Sequence, residues 1–210
     1  LVIYTTDHGD FAGGHGLLDK HFNMYDDVLR VPLMIRWPAR VAAAARPDGF
    51  VSQEIDIAAT LLAAAGVERP ESFVGRNLIG QAPMSGSASS DGASSGQAWH
   101  PIGPPREDII SQYFGTESGM YSSRMLRERR WKYVWNPLHT DELYDLDADP
   151  GELTNLINEP DLEQERVRLR RRLIEWLEGV GDRLCNTWTK VELVGEPNAW
   201  ERAQVDGAAW

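Results

Sequence analysis

The chain has 210 residues, 42% of them hydrophobic, and a net charge of −11, which suits one domain or two small ones with a real core. The acidic balance argues against nucleic acid or an anionic membrane as partner. The single cysteine, Cys185, excludes an internal disulfide framework and a cysteine-based zinc site, and no apolar run approaches the ~20 residues of a membrane-spanning helix.

The first predicted element is a strand, Leu1 to Thr6, a β-branched and aromatic run of buried-strand length. It stops at Asp7-His8-Gly9, where an acid and an imidazole stand side by side at a turn. In open α/β sheets ligands collect beyond the carboxyl ends of strands, so these two residues sit where chemistry is done. A glycine-rich loop follows (Gly9, Gly13, Gly14, Gly16) with Asp10 and His15, then Lys20, and Val31 to Trp37 supplies a second predicted strand. A carboxylate beside a neutral imidazole makes part of a metal shell. Oxygen donors suit Ca²⁺ or Mg²⁺, and an added nitrogen admits Mn²⁺ or Zn²⁺. Lys20 adds a compact cation matched to an anionic sulfate or phosphate ester oxygen. Taken singly, each residue also has an ordinary use: Asp7 capping a turn, His8 satisfied in a loop, Lys20 solvated.

The combined pattern is more specific than its parts. T-x-D-H-G-D, then G-x-H-G, then Lys thirteen positions after the aspartate, then Arg30-Val31-Pro32-Leu33 in R-V-P-L-x-I-R-W-P, resembles the sulfatase family of the alkaline phosphatase superfamily. The resemblance implies that Asp7 and His8 bind a divalent metal, Ca²⁺ first with Mn²⁺ or Mg²⁺ as alternatives. It further implies that Lys20 is the catalytic cation contacting the ester. His15 and Asp10 become supporting or substrate-proximal residues. The family's nucleophile motif, C-x-P-x-R or S-x-P-x-R, whose Cys or Ser becomes formylglycine, does not occur in these 210 residues. Cys185, in Leu-Cys-Asn-Thr-Trp, lacks the following Pro and Arg and reads as a structural thiol. The expectation is a fragment beginning inside a sheet, with the N-terminal half of the catalytic domain missing and no nucleophile of its own.

Further along, Asn23 to Arg30 predicts a short helix or turn, and Arg40 to Phe50 a loop with an alanine run. Val51 to Ala65 carries Ile55, Ala58, Leu61, Leu62 and Ala65 at helical spacing with Gly66 as a stop. Asp56 in that helix is expected to be an N-cap or first-turn carboxylate rather than a catalytic acid. Glu71 to Leu78 resembles the family's G-x-(S/N)-L segment. Residues 80–105 turn to Ser, Gly, Ala and Pro without periodicity, a composition that buries too little to offset its ordering entropy, so a flexible loop is expected.

Short strand signals return at Ile109 to Phe114, Met120 to Arg127, Trp131 to Asn136 and Glu142 to Leu146, separated by turn-like segments: an antiparallel meander. Arg124, Arg127, Arg129, Arg130 and Lys132 form a basic cluster, expected to be a solvated sheet face. Trp131-Lys132-Tyr133-Val134, Glu142-Leu143-Tyr144-Asp145-Leu146 and Asp149-Pro150-Gly151-Glu152-Leu153-Thr154-Asn155-Leu156 resemble the K-Y, E-L-Y-D-L and D-P-x-E-x-x-N-L motifs of sulfatase C-terminal subdomains. This second match lies far from the first and in the family's order. Asp161 to Val180 predicts an amphipathic helix opened by an Asp161–Gln164 capping box, its arginines on a solvated face. The stretch after Gly181 carries no functional signal.

The fold class expected is therefore α/β. Residues 1–79 form the remainder of an alkaline-phosphatase-like α/β sandwich, 80–105 a flexible loop, 106–180 a C-terminal subdomain of small antiparallel sheet and packed helix, and 181–210 a tail. The function implied is that of a divalent-metal sulfuric ester hydrolase, arylsulfatase-like, acting on a small-molecule sulfate ester and inactive as this fragment alone. A phosphonate or phosphate ester hydrolase of the same superfamily and a non-catalytic module are the alternatives. The compartment stays open between cytoplasm and export, as does the oligomeric state.

Overall fold

A computed structural model describes residues 1–20, 23–38, 40–41, 43, 46, 49–79, 105–115, 122–137 and 139–195. Gly80 to Pro104 of the expected loop, the Met120 start of the second meander strand, and Trp200 and Trp210 of the tail lie outside them. The chain divides into two compact units, 1–109 and 110–210.

In the first unit β1 (Val2–Thr5) pairs antiparallel with β2 (Leu33–Arg36), placing Val2 opposite Arg36 and Tyr4 opposite Met34. Both strands are shorter than their apolar runs. Between them stands α1 (Asp26–Leu29), a single turn with Asp26 and Asp27 at its positive end. The next helix, α2 (Gln53–Ala65), ends at Gly66, whose φ of 69° is the left-handed conformation glycine adopts without cost; Val67 N–H closes the cap on the Leu62 carbonyl.

Asp56 is fully buried in the first turn of α2. One oxygen accepts the Ser52 N–H at 2.8 Å, the other the Arg76 N–H at 2.8 Å, and Arg106 grips both at 2.7 and 3.0 Å. It is the first-turn carboxylate expected, the N-cap itself being Ser52, and it is also a bidentate anchor for a residue fifty positions on. Gly75 lies so close to α2 that a side chain there would meet the Ile55 carbonyl at 2.0 Å. This explains why the G-x-(S/N)-L segment opens on glycine.

The second unit holds a four-stranded sheet in the order β3 (Asp108–Tyr113), β4 (Ser123–Glu128), β5 (Trp131–Trp135), β6 (Glu142–Asp145), with β4–β5 and β5–β6 antiparallel. That is the expected meander. Its inward side chains Leu126, Tyr133, Trp135 and Leu143 meet Leu169, Leu173, Ile174 and Leu177 of α3 (Glu163–Val180) in one core. Each buried aliphatic side chain there contributes about 1.5–3 kcal/mol.

Two expectations fail here. The Asp161–Gln164 capping box does not form: a short 3-10 turn over Pro160–Leu162 leads into α3, whose N-cap is Leu162 with no side-chain cap. Proline fixes the entry instead. The basic cluster fails as a solvated face at two of its five members; Arg129 and Arg130 are exposed and Arg127 is half-buried. Arg124 and Lys132 are fully buried, Arg124 Nε paired to Asp182 at 2.8 Å and Lys132 Nζ to Glu152 at 2.5 Å. The register explains this: Arg124 lies on the face shared with Leu126 and Tyr133, Lys132 on the opposite face with Met125 and Val134, both faces are covered, and a buried charge requires a partner. Arg130, on the turn between those strands, keeps a half-exposed pair with Asp145. The arginines of α3 are likewise not merely solvated. Arg170 reaches the Tyr133 hydroxyl at 3.0 Å and Asp141 at 2.8 Å, and Arg168 reaches Glu128 on β4. After Gly181 the chain forms α4 (Thr187–Val194), capped by the Asn186 side chain accepting from Thr189 N–H, with Leu193 in the core.

Candidate functional site

β1 ends one residue before Thr6-Asp7-His8, and the chain there is tied down locally. Thr6 Oγ1 donates to the His8 carbonyl and lies 3.2 Å from Asp7 Oδ1, and His8 N–H donates to Asp7 Oδ1 at 3.1 Å. Asp7 is otherwise open to solvent, its side chain 82% exposed. The hydrogen bond from its own backbone N–H, with Thr6 and the neighbouring His8, holds its carboxyl below the usual value against an opposing effect of desolvation. It is therefore ionised at neutral pH.

The ring of His8 is oriented by two contacts. Nδ1 lies 2.7 Å from the Gly9 carbonyl, which can only accept, so Nδ1 carries the proton. Nε2 is left with its lone pair, facing the Lys20 ammonium at 2.6 Å and Asp7 Oδ2 at 3.5 Å. Twelve residues separate Lys20 from His8, and the loop closes that distance because Gly9 sits against α1. Gly9 N–H donates to the Val28 carbonyl at 2.7 Å, and a methyl on Gly9 would meet the Asp27 carbonyl at 1.9 Å.

Asp7, His8 and Lys20 thus converge. The other two residues singled out in the sequence turn elsewhere: Asp10 Oδ1 accepts the Ala12 N–H at 2.7 Å, and the His15 ring stacks on Tyr25 with centroids 3.9 Å apart. Phe11 meets both rings edge-on at 5.9 Å and is buried. Sequence reasoning missed this aromatic cluster because Phe11, His15 and Tyr25 follow no helical or strand period; the only signal was a lone aromatic inside a glycine-rich loop.

Asp7 and His8 fit a divalent cation as part of its shell once the Lys20 ammonium leaves the Nε2 lone pair that it meets here. Two donors bonded at right angles to one Ca²⁺ at about 2.4 Å lie roughly 3.4 Å apart, close to the observed Asp7–His8 spacing of 3.5 Å. A ligating imidazole whose other nitrogen donates to a backbone carbonyl is the usual arrangement. Among the described residues no group of three or more His, Cys, Asp or Glu side chains gathers to complete such a shell. Cys185 lies in the other unit, half-buried, and burial raises its thiol pKa, which disfavours the thiolate. No helix among the described residues is long and apolar enough to cross a membrane.

The family described as "N-sulphoglucosamine sulphohydrolase, C-terminal" matches residues 13–178. The uncharacterized sulfatase YidJ of Escherichia coli K12 is 32% identical over 86% of this chain and 33% of its own length. The N-acetylglucosamine-6-O-sulfatase of Bacteroides thetaiotaomicron is 29% identical over 83% of this chain and 29% of its own. Among solved structures, a 2-O GAG sulfatase superposes with a TM-score of 0.68 at 23% identity, over 86% of this chain and 36% of that one. The fold is accordingly that of the alkaline-phosphatase-like sulfatases. The chain spans about a third of the length of the relatives it matches. With the family's motifs in order in both units, the chain belongs to the sulfatase family, as its C-terminal portion.

Proposed function

We propose that this chain serves as the C-terminal third of a metal-dependent sulfuric ester hydrolase, supplying part of the metal shell and the cation that meets the substrate. The observation that carries this reading is the convergence of Lys20 Nζ, His8 Nε2 and Asp7 Oδ2 at the end of β1. Asp7 and His8 would hold a divalent cation, Ca²⁺ first on the family resemblance, with Mn²⁺ or Mg²⁺ as alternatives; the carboxylate suits all three and the imidazole nitrogen favours Mn²⁺. When bound, that cation supplies charge neutralisation and polarisation of the sulfate.

Lys20 supplies a second positive charge at the same place. Its ammonium meets the His8 Nε2 lone pair here; with a cation on that lone pair it would be released to donate to an ester oxygen as negative charge develops there. Gly9 keeps the His8 tautomer fixed by accepting from Nδ1. None of the three is placed as an attacking group, so the formylglycine nucleophile of the family has to come from outside these residues. The substrate is a small sulfate ester. The family match and the sugar sulfatase among the relatives favour a sulfated sugar.

The test is turnover of aryl and sugar sulfates, alongside phosphate and phosphonate esters, by this chain alone and by the intact protein that carries it. No turnover by the chain, and metal-dependent sulfate release by the intact protein that is lost in Lys20→Ala, is the expected result. Preferential release of phosphate or phosphonate would move the assignment to the sister esterases, and turnover by the chain alone would overturn the division of labour.

A further inference from the structure

The loop between His8 and Lys20 concentrates backbone strain. Among the described residues four non-glycine positions have positive φ: Ala12 at 46°, His15 at 51°, Asp19 at 69° and Glu152 at 55°. Three of the four fall between His8 and Lys20. A left-handed conformation costs an ordinary residue on the order of 1–2 kcal/mol, so something must hold the loop in this shape.

The aromatic cluster does so. His15 stacks on Tyr25, which immediately precedes α1, and Phe11 closes on both rings from the side. Phe11 N–H reaches the Asp19 carbonyl at 3.4 Å, and the Asp19 side chain accepts the Lys20 N–H at 2.7 Å. A continuous path of contacts therefore runs from Tyr25 through His15, Phe11 and Asp19 to the residue whose ammonium meets His8. We infer that His15 is a positioning residue, acting through its ring face: the His15–Tyr25 stack clamps the strained loop on α1 so that Lys20 stands at His8. The inference rests on the proposed roles of Lys20 and His8, and it assigns His15 no part in proton transfer.

Two substitutions separate the ring from its nitrogens. His15→Phe keeps a stacking face and loses both nitrogens. His15→Asn tolerates positive φ and loses the ring. The readout is acylation of Lys20 in the full 210-residue chain by a lysine-selective reagent, followed by mass spectrometry. Lys190 is the internal reference, since the third lysine, Lys132, is buried. Loss of the contact with His8 is expected to speed Lys20 labelling about tenfold in His15→Asn, the weight of one charge-assisted hydrogen bond. His15→Phe should stay within about twofold of the wild-type rate, while amide exchange in α2 stays unchanged in both.

In a His8→Ala background His15→Asn should add nothing, because the contact it acts through is already gone. Unchanged labelling in His15→Asn, equal rates in the Phe and Asn variants, lost protection in α2, or additivity with His8→Ala would each overturn the clamp. Failure of the catalytic reading looks different. If labelling behaves as expected while Lys20→Ala leaves sulfate release by the intact protein untouched, the clamp stands and the role of Lys20 falls.

Discussion

The two units make opposite use of their apolar residues. In 110–210 a sheet and a helix bury Leu126, Tyr133, Leu143, Leu169, Leu173 and Leu177 together, and even charged side chains on the sheet are buried with partners. In 1–109 the β1–β2 ribbon leaves Val2, Tyr4 and Met34 more than half exposed on one face, and a two-stranded ribbon of this kind is marginal by itself. The residues with chemical potential lie in that weaker unit: Asp7 at the end of β1, with His8 and Lys20 on the loop after it. The first unit thus gathers the candidate reactive groups, while the second carries the sheet-and-helix core. The comparison can be broken by showing that chemistry and stability respond to the same substitutions.

The largest separation is expected in catalysis. In the intact protein Lys20→Ala should lower kcat/KM by roughly 10²–10³, the usual cost of one lost charge-stabilising donor. Asp7→Ala should cost more, since it removes an ionised donor from the proposed metal shell. Aryl sulfate kinetics measure both, and the melting of the second unit should be unaffected by either. A Lys20→Ala protein with unimpaired kcat/KM would remove the chemical half of the contrast.

Next comes the buried pair. Glu152→Ala removes the carboxylate that Lys132 Nζ meets inside the sheet, and breaking such a buried pair costs about 3–5 kcal/mol. Urea unfolding of the second unit should report that loss, and the double variant Lys132→Met, Glu152→Ala should recover most of it because no charge remains buried. A double variant no more stable than Glu152→Ala would show that the loss is not that of a stranded charge.

A matched substitution sharpens the contrast within one residue type. Met34 on β2 is 59% exposed and Met125 on β4 only 3%. Met125→Ala should cost about 2–5 kcal/mol, whereas Met34→Ala should fall within about 0.5 kcal/mol of the wild type. Comparable losses on urea unfolding would mean that the ribbon is as well packed as the meander.

Elements with a strong local signature were legible in the sequence: the four meander strands, the Gly66 stop of α2 and the length of α3. Among the site residues, the convergence of Asp7, His8 and Lys20 was readable only through the family's spacing. What escaped were contacts between residues far apart in sequence. Nothing local in Asp56 announces Arg106, nor anything in Arg124 its partner Asp182, and a row of basic residues on a strand looks solvated until both faces of the sheet are known to be covered. The Asp161–Gln164 box failed for a local reason, since Pro160 already sets the entry to α3 through a 3-10 turn. His15 was visible as a motif residue, but its use as a stacking face depends on Tyr25 and Phe11 arriving beside it.

The smallest expected effect is a pH dependence confined to the second unit. Burial raises the pKa of Asp182, but hydrogen bonds from Arg124 and from the Leu184 N–H outweigh it, so its carboxyl lies below the usual value. Asp145 is lowered in the same sense, chiefly by its hydrogen bonds to Arg130. A carboxyl depressed in the folded state binds its proton less readily there than in the unfolded chain, so its contribution is complete above the unfolded value of about 3.9 and disappears as pH falls through the folded value. The urea midpoint of the second unit should thus hold steady from pH 7 to about 5 and decline through pH 4 and below. Asp145 is the better exposed of the two and should contribute less, because solvent screens its pair with Arg130. Asp182→Asn has no such proton to bind, so it should lower the midpoint at pH 7 and flatten the acid slope, leaving the two proteins closest at low pH. An Asp182→Asn protein whose midpoint runs parallel to the wild type across that range would show that the Arg124 pair is not what acid removes.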